Sequence, residues 1–169
     1  PSITSPAHAN VAYPPDKGTL QGLVDNGGAI LADGGRVVLT AKGVDSVKKS
    51  LIKHTGVIEA NTVQNNNGVI ELLGDLDNSA LNVSGSLKAE GKASGDGGVI
   101  ETSAASLFFA DSAHISPQAQ NGQTGTWLID PKDFTVAKSG GDMTATQVEN
   151  ALKSNNIALH TSRNTQGKN

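Results

Sequence analysis

A repeat of about thirty residues constrains this chain more than any other feature of its sequence. Four stretches share one pattern: GGRVVLTA from 34, NGVIELLG from 67, GGVIETSA from 97 and TGTWLIDP from 124. Measured from Val37 to Val69, Val99 and Trp127, the steps are 32, 30 and 28. A second series lies between them: TGVIEAN from 55, SGSLKAEG from 84 and AHISPQAQNG from 113, with steps of 29 and 28 from Ile58 to Leu87 to Ile115. A third is vaguer: SLIKH from 50, ALNVSG from 80 and SLFFADS from 106.

Each period therefore holds three short apolar runs bounded by Gly, Asn, Asp or Ser, which are strand signals. Apolar and polar residues alternate within them, so one face of each strand is buried. Three strands in a constant period predict an all-β chain, a three-sided β-solenoid of about 30 residues per coil. Equivalent Val, Leu and Ile side chains stack inside. One coil cannot bury its own apolar face, so several coils are required. Gly35, Gly56, Gly68, Gly98 and Gly125 recur at the corners, where positive φ is expected.

One or two short helices interrupt the pattern. Val44, Val47 and Leu51 in KGVDSVKKSLIKH have helical spacing, predicting a turn of helix that loops out of the first coil. TATQVENALKSN from 144 carries Thr146 and Glu149 as an S/T-x-x-E capping box, with Val148, Ala151 and Leu152 on one face. NIALHTS from 156 reads as a strand. The expected organisation is an extended, proline-containing arm over 1–19, coils over 20–137, and a helix-plus-strand continuation or cap over 138–169.

Composition sets the kind of core. Aromatic residues are 3% and charged residues 17%, and there are 20 glycines. Both percentages are low for a globular enzyme domain, and they suit a narrow stack of aliphatic side chains. The formal net charge of -3 offers no basic field for nucleic acid. Cysteine is absent, which excludes disulfides and thiolate metal sites and fits export through an oxidising space. No apolar run reaches the length of a membrane span. The chain reads as a piece of a longer protein or a mature product.

Candidate chemistry is sparse. His8, His54, His114 and His160 are scattered and never paired at i+3 or i+4, so they read as surface or turn histidines rather than metal ligands. DGGRV and GDGGVI lack the G-G-x-G-x-D pattern of calcium-binding glycine repeats. Asp75 and Asp77 are a tight carboxylate pair, followed by Asp130 and Asp133 in the Trp127 segment, but neither pair has the nearby cluster of His, Arg or aromatic residues that would bind sugar rings. No catalytic, cofactor or metal residue is assigned. Asn82-Val83-Ser84 is a sequon and marks Asn82 as a weak glycosylation candidate.

The densest segment is GTWLIDPKDFTVA, 125 to 137, with the chain's one tryptophan. Its place in the first series makes Trp127 the substitute for a valine in the stack. Asp130-Pro131 reads as a turn, with Phe134 folding back beside Trp127. Together they suggest a structural joint where the narrow core ends or widens.

As a set, these motifs resemble a known family. GGRVVLTAKGVDSVKKSLIKHTGVIEANTV, NVSGSLKAEGKASGDGGVIETSA and NGQTGTWLIDPKDFTVA are similar to the large exoproteins of two-partner secretion, the filamentous-haemagglutinin-like adhesins and haem-utilisation proteins. The resemblance covers roughly residues 20 to 160 and includes five motifs in the family's order. The family's asparagine-rich secretion domain is not visible. The resemblance implies a right-handed parallel β-helix, a segment of a rod that is secreted to the extracellular space or cell surface. It implies passage through an outer-membrane transporter, and attachment to a host cell surface or glycan or capture of a host haem carrier. A self-assembling extracellular or biofilm fibre, built by head-to-tail stacking of copies, is the alternative. A polysaccharide-active β-helix enzyme comes last.

Overall fold

The computed structural model describes residues 3–4, 8–12, 22–42, 50–93, 95–139 and 141–161. Its strands are β1 (Ile3–Thr4), β2 (His8–Ala12), β3 (Gly22–Asn26), β4 (Ala29–Leu31), β5 (Arg36–Ala41), β6 (Ser50–His54), β7 (Val57–Glu59), β8 (Val69–Gly74) and β9 (Ser79–Val83). They continue through β10 (Ser86–Lys88), β11 (Val99–Ala104), β12 (Ser106–Phe109), β13 (His114–Ser116), β14 (Thr126–Pro131), β15 (Val136–Ala137) and β16 (Met143–Thr144). Helix α1 (Ala145–Leu152) and β17 (Asn156–Leu159) follow.

These elements wind into a β-solenoid of about five turns with about 28 residues per turn. Three parallel ladders run along it: sheet A (β1-β4-β7-β10-β13), sheet B (β2-β5-β8-β11-β14-β17) and sheet C (β3-β6-β9-β12). The chain visits A, B and C in that order in each turn. Two strands from the 1–19 stretch join these ladders: Ile3–Thr4 pairs with β4 and His8–Ala12 with β5.

Register explains the core. Sheet A stacks Ile30, Ile58, Leu87 and Ile115. Sheet C stacks Val24, Ile52, Leu81 and Leu107. Sheet B stacks Val37, Ile70, Ile100, Trp127 and Ile157. The sequence alignment of Val37 with Val69 and Val99 is therefore one residue out of step. Val69 and Val99 pair with Arg36 and Thr126, and Val99 is 41% exposed. In a strand, a slip of one residue moves a side chain to the opposite face. A Val-Ile pair offers two equally apolar candidates, so hydropathy alone does not choose between them. Trp127 consequently stands in place of an isoleucine, Ile100 in the coil below, not a valine.

The glycines follow a different rule from the one expected. Among the described glycines only Gly34 has a positive φ, +72°. A Cβ on Gly56 would overlap the Gly28 carbonyl oxygen, and one on Gly85 that of Gly56. On Gly68, Gly98 and Gly125 it would overlap the carbonyl oxygens of Ala60, Gly68 and Gly98. What these corners require is the absence of a side chain, because backbone lies against backbone there, from the preceding coil at Gly56, Gly85, Gly98 and Gly125 and from the same coil at Gly68. Gly35 is half-buried just before β5 and receives the Val69 N–H on its carbonyl at 3.0 Å.

The helical turn expected at Val44 and Val47 lies outside the described residues. Leu51, assigned to the same turn, is in β6 instead, where SLIKH alternates as a strand. The C-terminal helix is present but starts earlier than expected. Its N-cap is Thr144, whose hydroxyl accepts from the Gln147 N–H at 3.1 Å while the Gln147 side chain accepts from the Thr144 N–H at 2.8 Å. The capping box is Thr144/Gln147, not Thr146/Glu149. Val148 and Ala151 pack on the core, and Leu152 points outward, 57% exposed.

Candidate functional site

The last coil is built differently from the others. After β14 the chain leaves the ladder pattern, forms the small β15-β16 pair, and enters α1 before returning to sheet B as β17. Met143 follows Ile115 by 28 residues, the sheet A spacing, yet β16 pairs with β15 and not with β13. Helix α1 follows β16 directly. A helix is about 10–12 Å across, whereas strands stack about 4.8 Å apart, so α1 cannot close down on β13. A cleft of about 510 Å³ remains between them.

The floor of the cleft is Trp127, Phe109, Ile115 and Met143, all buried. The Trp127 and Phe109 rings meet edge to face, with centroids 5.0 Å apart and planes at 85°. Buried indole N–H groups need an acceptor, and Trp127 Nε1 donates to Thr102 Oγ1 at 3.0 Å. Phe134 is half-buried against the core, but the ring on Trp127 is that of Phe109. One wall is His114 and Ile115 of β13, and the other comprises Gln147, Asn150 and Ala151 of α1. Gln147 Nε2 fastens the helix to the last strand of sheet C, donating to Phe109 O at 3.1 Å and Asp111 Oδ1 at 2.9 Å. At the other end of the helix, Asn155 is 6% exposed and donates through Nδ2 to Ala151 O at 2.8 Å. Its Oδ1 is buried with no hydrogen-bond partner.

The other sequence candidates fall elsewhere. Asp130 and Pro131 are not a turn. They are the last two residues of β14, in register with Ser103 and Ala104, and the bend begins at Lys132. Proline is tolerated there because β17 pairs only as far as Ile129, so no partner needs the missing N–H. Asp75 accepts the N–H groups of Asp77 at 2.8 Å and Asn78 at 3.1 Å, an Asx turn, and Asp77 pairs with Lys132 at 3.0 Å. These carboxylates shape a corner. Asn82 sits on the exposed face of β9, beside Lys53 and Phe108.

His54 is fully buried in sheet C, with Nδ1 3.1 Å from Asn26 Nδ2 and Nε2 3.0 Å from Ser86 O. Burial pushes its pKa below the ordinary 6.5, against the opposing pull of hydrogen bonds to the backbone of Ser86 and Asn26. Among the described residues, no group of three or more His, Asp or Glu side chains is placed to hold a metal ion. No described helix is long and apolar enough to cross a membrane.

The cleft residues Phe109, Met143, Gln147 and Asn155 were not singled out from sequence. Met143 alone left a signal there, its 28-residue distance from Ile115.

No family model matches the chain, and no solved structure matches it. A stretch of 72 residues, 43% of the chain, is 42% identical to the heme/hemopexin-binding protein of Haemophilus influenzae, and covers 7% of that protein's length.

Proposed function

We propose that the chain is a segment of a secreted bacterial exoprotein, a β-solenoid rod that presents binding surfaces outside the cell and takes part in attachment to host surfaces or capture of a host haem carrier. The observation that carries the reading is the 42% identity to a heme/hemopexin-binding protein, on a chain built as a β-solenoid. The fold suits the role. Coils joined by parallel ladders hold surface side chains at fixed separations along one axis. Binding is favoured over turnover because Asp75 and Asp77 are engaged in a turn and an ion pair.

The test is titration of the purified chain with haem-loaded and haem-free haemopexin, beside a cell-binding assay. Saturable binding to haemopexin or to cells is expected. A folded chain that binds neither overturns the reading. Growth of filaments with rising concentration would favour the fibre alternative instead, in which the exposed ladder ends of one copy meet those of the next.

A further inference from the structure

We propose that Asn82 carries an N-linked sugar, and that the exposed ring of Phe108 in the next coil is the surface on which that sugar rests. The inference stands on the outer face of sheet C and holds whether or not the chain captures a haem carrier.

Three observations meet there. Asn82-Val83-Ser84 is the one N-x-[S/T] sequon in the chain. Strand alternation aims Asn82 outward and Val83 into the core, where Val83 is fully buried. Among the described residues no side-chain hydrogen bond holds the Asn82 amide, so its Nδ2 is open to solvent and to substitution.

Register then sets the neighbours. Asp25, Lys53, Asn82 and Phe108 form one outward column across four coils. Asp25 and Lys53 pair with each other at 3.3 Å. The remaining neighbour of Asn82 is Phe108, which is 57% exposed. Adjacent strands lie about 4.8 Å apart, so the first sugar on Asn82 Nδ2 comes into contact with that ring. The face of an aromatic ring is electron-rich and attracts the weakly positive C–H groups of a sugar. Covering the ring also removes apolar surface from water.

The chemistry is a glycosyl transfer. A bond forms between C1 of the sugar and Asn82 Nδ2, and the bond from C1 to a phosphate breaks. Nδ2 gives up one proton, and the diphosphate leaves with its carrier. The co-substrate is a sugar activated as a nucleotide or lipid diphosphate. The folded strand does not suit a transferase, because Ser84 N–H is bonded to His54 O at 2.9 Å and Val83 is locked inside. Transfer therefore precedes closure of this coil.

The test uses the chain isolated from the cells that make it. Trypsin releases the sequon in one peptide, His54–Lys88. Its mass should be raised by whole sugar residues, and the increment should vanish in both Asn82→Gln and Ser84→Ala. A single hexose points to a nucleotide-linked donor, and a preassembled oligosaccharide to a lipid-linked one. The glycosylated chain should melt about 2–4 °C above the same chain made in a host without the transferase. Phe108→Ala should keep the sugar and lose that gain. An unmodified peptide, an increment that persists in Asn82→Gln or Ser84→Ala, or an equal gain in melting temperature without the Phe108 ring would each overturn the proposal.

Discussion

At the scale of single residues, steric room at the corners governs this molecule more than backbone freedom does. Gly68, Gly98 and Gly125 stack where a Cβ has nowhere to go. Gly68→Ala should destabilise the chain by more than about 3 kcal/mol, because overpacking a yielding core costs about 1–3 and here the obstacle is backbone. Gly34→Ala meets the exposed Val63 side chain at 3.2 Å rather than backbone, keeps φ at +72°, and should cost about 1–2 kcal/mol. Thermal or denaturant unfolding of the two variants separates the causes. Trp127→Ala removes the floor of the cleft and the partner of Phe109, and should cost about 3–5 kcal/mol. His54 gives a pH signature. Its folded pKa lies below the unfolded value of 6.5, so its contribution is present above 6.5 and is lost as pH falls from there toward the folded pKa. The melting temperature should drop across that window, and His54→Gln should flatten the drop. Trp127 was legible as a singular residue, and its burial follows from the strand alternation around it. Its partners were not legible, because Phe109 and Thr102 come from the previous coil and no local pattern marks them.

At the scale of elements, α1 shows why a motif alone does not fix a boundary. TATQVENAL contains two overlapping capping boxes, Thr144/Gln147 and Thr146/Glu149, and both satisfy the same rule. Tertiary structure selects the first, since only Gln147 reaches Phe109 O and Asp111. Thr144→Ala should cost about 1 kcal/mol, and Thr146→Ala should be nearly neutral. Gln147→Ala should release the helix from sheet C, seen as faster amide exchange over 145–152 with the coils before it still protected. The strands were legible from period-two alternation and the corner residues. The one-residue slip at Val69 and Val99 was not, because an apolar pair at the inward position is ambiguous until the neighbouring coil fixes the register.

At the scale of the whole molecule, the coils form a quasi-one-dimensional stack in which each buries its aliphatics on the next. The three-strand period predicted this architecture because a constant spacing of three short strands has few other ways to bury its apolar face. The cleft was beyond reach of the same logic. It exists because a helix thicker than a strand interrupts sheet A, and the consequence of that mismatch appears only once both elements are in place. The central claim, coils stacked in register, has a direct test in a chain without native cysteine. Lys53 and Asn82 are exposed register partners in neighbouring coils, and Phe108 is the partner of Asn82 one coil further on. Register partners lie about 4.8 Å apart, within the reach of a disulfide, whereas two coils span about 10 Å. Under mild oxidation, the Lys53→Cys/Asn82→Cys variant should form an intramolecular disulfide and the Lys53→Cys/Phe108→Cys variant should not. A failure of the first pair to close, or closure of both pairs alike, would contradict the stacked register.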